Sequence, residues 1–307
     1  MKIEIAPYNP EWPLEFKLEA IKIKQALGSN CLCIHHIGST SIPNLSAKPI
    51  IDIIPVVKDI CRVNNKNMEA LSYEGKGEYG IPFRLYFQKN KELRTHNVHI
   101  FEQGNTEIDR HLKFRDWMRK NPDDRNEYEI LKTALAAKFP NDIMAYCLGK
   151  EEFINNIDVK AGFSGFKFVN TATPNEWKEY HRIIKVQIFD PINIRYNKNH
   201  PSITENNCFH FVLSKDSQIV SAAMIEFIDK NIAAIRFLAT DEPYKKKGYG
   251  SYIIKLLEKW IKSKGYNIIK LHANPDYEIF YRKLGYNDIE FDDISISEDN
   301  IDLGKFL

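Results

Sequence analysis

One stretch of the sequence decides the fold of the C-terminal half, namely Lys245-Lys246-Lys247-Gly248-Tyr249-Gly250. Residues 232–240 before it are apolar and β-prone, and residues 251–261 after it place apolar side chains at helical spacing. Glycines let a backbone approach a ligand closely, and the start of a helix offers N–H groups and a partial positive charge. The stretch therefore predicts a strand, a phosphate-binding turn and a helix.

The segments around this turn complete a pattern of alternating strands and helices. The sequence predicts a strand at 166–171, a helix at 174–189 with Thr173 as its N-cap, a hairpin of strands at 208–214 and 219–228, and a strand at 267–273. These elements place the C-terminal half in the α/β (α+β) class.

This order of elements resembles the GCN5-related N-acetyltransferases (GNAT) over about residues 166–307. The turn of that family reads Arg/Gln-x-x-Gly-x-Gly/Ala and holds the pyrophosphate of acetyl-CoA. The segment from Tyr281 to Tyr286 matches a second family motif, Tyr-x-x-x-Gly-Tyr/Phe. The resemblance implies a central, mostly antiparallel sheet flanked by helices, and an acetyl-CoA-dependent N-acetyltransferase acting on a small amine.

The resemblance also implies where acetyl-CoA binds. Phe237 and Leu238 would hold the thioester carbonyl through main-chain N–H groups at a strand bulge. The pyrophosphate would be wrapped by the turn, whose residues are Lys245, Lys246, Lys247, Gly248, Tyr249 and Gly250. Lys245 stands where the family has Arg or Gln, and Lys246 stands where it often has Gly, so both add positive charge near phosphate.

Three further side chains match positions near the chemistry. Tyr281 stands at the position of the general acid that protonates the leaving thiolate, with packing against the cofactor as the alternative. Asn274 matches a position that often binds pantetheine, with loop capping as the alternative. The usual base position falls at Ala233-Ala234, so Glu226 is the nearest candidate base, and a paired carboxylate with water as the base is the alternative.

An acidic stretch lies near the end of the chain. Seven acidic residues and no Lys or Arg lie between Asp288 and Asp302. Clustered carboxylates beside the acceptor site would favour a cationic amine, such as a polyamine or an amino sugar. A solvated loop is the alternative.

The first half of the chain resembles a second family, GrpB, of the nucleotidyltransferase-like superfamily. Four stretches carry this resemblance: His35 to Pro43, Lys48 to Val56, Arg94 to Ile100 and Arg110 to Trp117. It implies a mixed sheet with helices over residues 1–160. Because Gly and Ser cluster at 161–165, the sequence predicts a GrpB-like domain at 1–160 and a GNAT domain at 166–307.

Active nucleotidyltransferases grip the triphosphate with a Gly-Ser turn at a helix start and clamp Mg²⁺ with Asp-x-Asp on the next strand. Gly38-Ser39 and Asp52 match this pattern, but the second carboxylate position is Ile54, so the Mg²⁺ clamp is incomplete. His99 is a candidate replacement ligand, with a buried histidine as the alternative. The candidate cations for phosphate are Lys48, Arg94, Arg110, His111 and Arg115. We therefore expect this half to bind a nucleotide or a phosphorylated metabolite.

The composition argues against nucleic acid and membranes as partners of this protein. The chain has 307 residues and a net charge of +2, so no strong field attracts nucleic acid or a membrane surface. Its apolar runs are shorter than a membrane helix needs, and its first residues lack the layout of a signal peptide. Five widely spread cysteines are typical of reduced thiols. We expect a cytoplasmic protein.

Three functions compete at this point. The first is an N-acetyltransferase fused to a GrpB-like domain. In the second, the N-terminal half is a nucleotidyltransferase and the GNAT domain binds acetyl-CoA as a regulator. The third is a metabolite-binding protein without enzymatic activity. The motif at Tyr281 and the Gly248/Gly250 turn favour the first, and Ile54 counts against the second.

Overall fold

A computed structural model of the protein describes residues 2–90 and 94–307. The chain divides into two compact units, Met1–Lys167 and Phe168–Leu307. In the described part of the chain, no helix is both long enough and apolar enough to cross a membrane.

The first unit combines a mixed sheet with helices, as the sequence predicts. Its strands are β1 (Cys31–Ile37), β2 (Ile51–Val57), β3 (Tyr73–Gly75), β4 (Arg84–Lys89) and β5 (His96–Glu102). Its helices are α1 (Trp12–Leu27), α2 (Asn65–Glu69), α3 (Thr106–Lys120), α4 (Pro122–Lys138), α5 (Ile143–Leu148) and α6 (Glu151–Lys160). Among the described residues the strand order is β1-β2-β5-β4-β3, with β2 and β5 parallel and the other neighbours antiparallel.

Strand β2 is an interior strand of this sheet, between β1 and β5, and is buried on both faces. Ile51 and Ile53 lie in one apolar cluster, whereas Ile54 packs with Val56 in another. Such a strand reads as a continuous apolar run because neither face meets water. Asp52, at its start, is the polar exception and lies in register between β1 and β5.

The second unit contains a sheet that is mostly antiparallel, which confirms the predicted fold class. Its strands are β6 (Phe166–Asn170), β7 (Cys208–Lys215), β8 (Gln218–Phe227), β9 (Ile232–Thr240), β10 (Ile268–Ala273), β11 (Asn287–Asp288) and β12 (Ile301–Phe306). Its helices are α7 (Pro174–Ile184), α8 (Tyr249–Ser263) and α9 (Glu278–Lys283). The strand order, over the residues described, is β11-β12-β10-β9-β8-β7-β6, and β9 runs parallel to β10.

Local sequence signals fix two of these elements. Asp216 and Ser217 have φ of 50° and 64°, as a two-residue hairpin turn between β7 and β8 requires. The Thr173 side chain accepts the Glu176 N–H, and the Glu176 side chain accepts the Thr173 N–H, so the predicted N-cap is a full capping box.

Helix α7 ends sooner than the sequence predicts. Its α-helical part stops at Ile184, and Lys185–Phe189 continue as a wider π-helical turn. This turn brings the Phe189 ring to 5.4 Å from the Phe237 ring on β9. Such turns often occur at functional sites, and this one borders the strand on which the thioester is expected.

Candidate functional sites

The turn between β9 and α8 has the backbone of an anion-binding site. Lys246 and Gly248 both have left-handed backbone, with φ of 60° and 86°, and α8 begins directly afterwards at Tyr249. The first N–H groups of any helix have no acceptor inside that helix. A Cβ built on Gly248 would meet nothing within 4 Å, so space is open beside the backbone at this point. The geometry fits a diphosphate at the helix start.

The lysines of this turn are held by local partners. The Lys245 Nζ lies 2.7 Å from Glu242 Oε2, and the Lys247 Nζ donates to the Pro243 carbonyl at 2.8 Å. The Lys246 side chain is exposed. Because an exposed ion pair contributes little stability, these ammonium groups can exchange their present partners for phosphate oxygens at small cost.

Gly250 has a different role from Gly248. A Cβ at Gly250 would lie 3.3 Å from Phe280 Cζ and 3.5 Å from Thr240 Oγ1. The missing side chain thus lets the first turn of α8 pack closely against the Phe280 ring. Gly248 leaves room for a ligand, whereas Gly250 leaves room for the protein itself.

Strands β9 and β10 separate halfway along their length. Their parallel pairing covers Ile232 to Ala234 on β9 and Ile268 to Lys270 on β10. Strand β9 continues to Thr240, so in the described structure its second half has no register partner on β10. This separation opens the sheet on the side of Phe237 and Leu238, and the opened part of β9 leads into the glycine turn.

A bulge lies at the point where the strands separate. Met224 is opposite Phe237, but the next residue, Ile225, is opposite Ile235, so Arg236 is an extra residue on β9. A bulge interrupts the regular ladder and redirects the backbone groups that follow it. Phe237 is the first residue after this bulge, so its main-chain groups are among those that the bulge redirects.

Tyr281 lies on α9 and is half-buried. Its ring makes edge-to-face contacts with Phe280 at 5.1 Å and Tyr286 at 5.7 Å. Burial, with a smaller effect of Tyr277, raises the pKa of the Tyr281 phenol well above its usual value. The phenol therefore keeps its proton at neutral pH, as a proton donor must.

Glu226 and Asn274 are both engaged with protein groups. Glu226 Oε2 accepts from Arg236 Nε at 2.6 Å, and its Oε1 accepts from Asn207 Nδ2 at 3.2 Å. A carboxylate that acts as a base needs an oxygen directed at the proton it removes, so this geometry counts against Glu226. Asn274 Oδ1 accepts the Asp276 N–H at 2.9 Å, which is the loop-capping role that the sequence left open.

In the first unit, Asp52 is held by its neighbours. Its Oδ1 accepts from Asn97 Nδ2 at 2.8 Å and lies 3.7 Å from His99 Nε2. The Tyr86 hydroxyl donates to Asn97 Oδ1 at 3.0 Å and so fixes the orientation of that amide. Burial alone would raise the pKa of Asp52, but the interactions with His99 and Asn97 hold it below its usual value. The result is a fixed, ionised carboxylate at the start of β2.

The protonation of His99 follows from its other neighbour. Arg84 Nη1 lies 3.1 Å from His99 Nδ1, and a guanidinium can only donate. The Nδ1 atom must therefore accept. Burial lowers the pKa of His99, so at neutral pH its ring is uncharged and its proton sits on Nε2, on the side of Asp52. His99 is thus a half-buried, hydrogen-bonded histidine.

The Gly38-Ser39 turn also differs from the predicted pattern. Gly38 has φ of 68°, and Ser39–Ser41 form a single 3₁₀ turn rather than the start of a longer helix. A Cβ on Gly38 would overlap Asp52 Oδ2. Glycine is therefore required here by the approach of Asp52 as well as by φ.

This contact yields a stability prediction. Gly38→Ala should lower the free energy of unfolding by about 2 kcal/mol or more, because it adds a left-handed alanine and displaces Asp52. Gly77→Ala is the matched control, since Gly77 has φ of 62° and open space around its Cβ. Urea unfolding should show the control losing about 1 kcal/mol. Equal losses in the two variants would contradict the Asp52 contact.

The structure divides the candidate cations into two groups. Lys48 and Arg94 are near enough to influence each other, since burial and then neighbouring cations, Arg94 among them, lower the pKa of Lys48. The other three have structural partners: Arg110 pairs with Glu107 and Asp158, His111 bonds the Glu107 carbonyl, and Arg115 donates to the His36 carbonyl. Lys48 and Arg94 remain as candidates for a phosphate.

The described residues provide no second carboxylate ligand for Mg²⁺ beside Asp52. The Ile54 side chain is fully buried in an apolar cluster, so the position of the second carboxylate is sealed from solvent. Across residues 2–90 and 94–307, no three His, Cys, Asp or Glu side chains are grouped so as to hold a metal ion. Mg²⁺ at Asp52 stays a prediction.

Two segments of the chain match known protein families. Residues 2–160, just over half of the chain, match the family described as GrpB protein. The chain belongs to the GrpB family. Residues 170–286 match the family described as Acetyltransferase (GNAT) family, so a GNAT domain follows the GrpB domain.

Individual relatives resemble the GrpB part. The UPF0157 protein YqkA of Bacillus subtilis is 47% identical over 162 residues, which cover 52% of this chain and 47% of YqkA. The UPF0157 protein PA4798 of Pseudomonas aeruginosa is 40% identical over 163 residues, 51% of this chain and 66% of that protein. The crystal structure of the conserved protein GrpB from Enterococcus faecalis is 43% identical, with a TM-score of 0.50, over 52% of this chain and 96% of that one. This chain thus spans about half the length of YqkA.

Sequence reasoning missed two residues of these sites. Asn97 holds the Asp52 carboxylate of the GrpB domain, and Arg236 holds Glu226 of the GNAT domain. Asn97 had a usable signal, because residues 97 and 99 alternate on one strand and so face the same side. Arg236 had none, since its place in a bulge depends on the pairing of β8 with β9.

Proposed function

We propose that the GNAT domain is an acetyl-CoA-dependent N-acetyltransferase that acts on a small amine. One observation carries this proposal: β9 and β10 separate beside a bulge, and the opened strand leads into a left-handed glycine turn at the start of α8. That arrangement offers main-chain donors for a carbonyl and, farther along, an anion site for a diphosphate.

Bound acetyl-CoA would supply an activated acetyl group. Main-chain groups of Phe237 and Leu238 would bind the carbonyl oxygen, and the turn from Lys245 to Gly250 would bind the pyrophosphate. Tyr281 would donate its proton to the leaving sulfur. Because Glu226 is engaged with Arg236, water is the better candidate for accepting the proton of the amine.

The acidic stretch near the C-terminus gives less support to a cationic acceptor than the sequence suggests. Asp288 pairs with Arg282 and Asp293 pairs with Arg236, each at 2.5 Å. Asp302 lies 2.9 Å from His272. Three of the seven carboxylates are thus occupied within the domain, and a polyamine would have to compete with these partners.

The test of the acetyltransferase proposal uses the full chain. The protein is incubated with acetyl-CoA and a panel of small amines, and the release of free thiol is measured. Amine-dependent thiol release supports the proposal. A metabolite-binding protein without enzymatic activity would bind acetyl-CoA, raise its melting temperature and release no thiol with any amine.

For the GrpB domain we propose binding of a nucleotide or a phosphorylated metabolite. Gly38, with its positive φ, and Ser39 form a turn beside Asp52. Lys48 supplies positive charge near that carboxylate, and Arg94 lies near Lys48. A nucleotidyltransferase with the GNAT domain as a regulator is the second candidate, favoured by the fixed, ionised state of Asp52. Ile54 counts against it, because only one of the two carboxylates that would bind Mg²⁺ is present.

We expect weak or no Mg²⁺-dependent nucleotidyl transfer. The full chain is titrated with ATP by calorimetry, with and without Mg²⁺, and then assayed for pyrophosphate release. Asp52→Asn tests the carboxylate, and Asp109→Asn, on the surface of α3, is the control. Binding that ignores Mg²⁺ and survives Asp52→Asn leaves this domain as a recognition module. Robust pyrophosphate release that Asp52→Asn abolishes would make the second candidate the leading one.

A further inference from the structure

A cationic cavity lies in the GNAT domain beside α7. Its volume is about 870 Å³, and none of the described residues that line it carries a carboxylate. Its charged walls come from α7, the π-helical turn and the loop at 193–199; they are Lys178, Arg182, Lys185, Arg195 and Lys198. We name this cavity the cation pocket.

Some of this charge is already neutralised. Arg182 donates to both oxygens of Asp241, at 3.0 and 2.7 Å, and to Glu179 at 2.7 Å. Lys185 pairs with Asp190 at 2.7 Å.

The remaining charge is not neutralised. Within the described ranges of the chain, Lys178, Arg195 and Lys198 form no ion pair. Three positive charges thus face one cavity without a protein anion to pair with, and like charges gathered at a concave surface attract an anion.

Two aromatic contacts connect the cation pocket to β9, the strand expected to hold the thioester. Its wall residue Tyr196 is fixed by a hydrogen bond of 2.7 Å with His181 Nδ1. The Tyr196 ring lies 5.0 Å from the Phe189 ring, which lies 5.4 Å from the Phe237 ring on β9. The pocket is thus two ring contacts from the bulge.

We propose that the cation pocket binds an anionic group of the acetyl acceptor. The acceptor is then a small amine that also carries a carboxylate or a phosphate group, as an amino acid or a phosphorylated amine does. This inference rests on the proposed acetyltransferase function and names its substrate class. It replaces the cationic acceptor that the acidic stretch suggested.

Matched acceptor pairs test the substrate class. Thiol release from acetyl-CoA is measured with L-phenylalanine and its amide, with O-phosphoethanolamine and ethanolamine, and with spermidine. In at least one pair we expect a kcat/KM about tenfold or more higher for the anionic member. The amide has the less basic amine, so more of it is neutral at pH 8 and a preference for the acid must come from its charge. The two pairs separate a carboxylate from a phosphate.

Charge reversal tests whether the preference for an anionic acceptor arises in the cation pocket. Lys178→Glu combined with Lys198→Glu should raise KM for the preferred anionic acceptor about tenfold or more and leave KM for its neutral partner unchanged. The KM for acetyl-CoA should not change. Lys230→Glu, in the exposed turn between β8 and β9, is the control and should leave all three values unchanged.

The outcomes separate this inference from the function on which it rests. Turnover with no preference for anions, or a preference for spermidine, overturns the inference and leaves the acetyltransferase proposal standing. If no amine is acetylated, the acetyltransferase proposal fails. Calorimetric titration with O-phosphoethanolamine then determines whether the cation pocket binds an anion. Binding that the double charge reversal weakens supports an anion site, and absence of such binding overturns it.

Discussion

Replacing Gly248 with Glu should abolish the stabilisation of the protein by acetyl-CoA. In the wild type, ligand at 100 times its Kd should add about 2.7 kcal/mol to the stability of the GNAT domain. For a domain of this size the melting temperature then rises on the order of 5–10 °C. A Glu at Gly248 would fill the open space beside the turn and put a negative charge against the pyrophosphate. Thermal unfolding with and without acetyl-CoA measures the effect.

The same helix offers a matched control. Gly265 follows the C-terminal end of α8, with φ of 89° and open space around its Cβ, much as Gly248 has φ of 86° at the other end. Gly265→Glu therefore carries a similar backbone strain and the same added charge, but away from the helix start. Its acetyl-CoA shift should equal that of the wild type. If Gly248→Glu keeps the full shift, the turn is not the phosphate site.

Elements with local signals were predictable from the sequence. The glycines of the turn and the 3.6-residue spacing of Ile253, Leu257 and Ile261 place α8 correctly, and all three side chains are buried. Thr173 with Glu176 marks the start of α7 because the capping box acts within four residues. Each of these signals is complete inside one short segment.

Features that depend on pairing between distant segments were not predictable. The bulge at Arg236 exists because β8 and β9 pair in a shifted register, and its ion pairs reach Glu226 and Asp293. Lys178, Arg182 and Lys185 share one side of α7 or its extension, a spacing visible in the sequence. That they line a cationic cavity is visible only in the structure, because the loop at 193–199 brings further cations to the same cavity.

The GrpB domain shows the same division. The order of its motifs predicts the mixed sheet, and Ile54 indicates an incomplete metal clamp from sequence alone. The approach of Gly38 to Asp52 is a tertiary contact, and the 3₁₀ turn at Ser39–Ser41 replaces the helix start that the superfamily pattern suggests. The family resemblance therefore predicts that Gly38, Ser39 and Asp52 belong to one site. The backbone conformation at Gly38 and Ser39 could not be predicted from it.

The second large effect concerns the proton that the leaving thiolate needs. A thiolate departs more readily when a nearby acid protonates it, and a positioned general acid contributes about 10²–10⁴-fold to rate. Burial raises the pKa of Tyr281 above its usual value, so its hydroxyl stays protonated across the neutral range. Activity that depends on this acid should therefore not fall until the pH exceeds the usual tyrosine pKa of about 10.

Tyr281→Phe should lower turnover on any accepted amine by about 10²–10⁴-fold and leave the melting shift with acetyl-CoA nearly unchanged. The phenylalanine keeps the edge-to-face contacts with Phe280 and Tyr286, so the helix and the binding site should persist. Tyr277→Phe removes an exposed hydroxyl just before the same helix and should leave turnover near the wild-type value. Steady-state thiol release measures both variants. Unchanged turnover in Tyr281→Phe would assign the proton transfer to water or another group, and a lost melting shift would assign Tyr281 to cofactor packing instead.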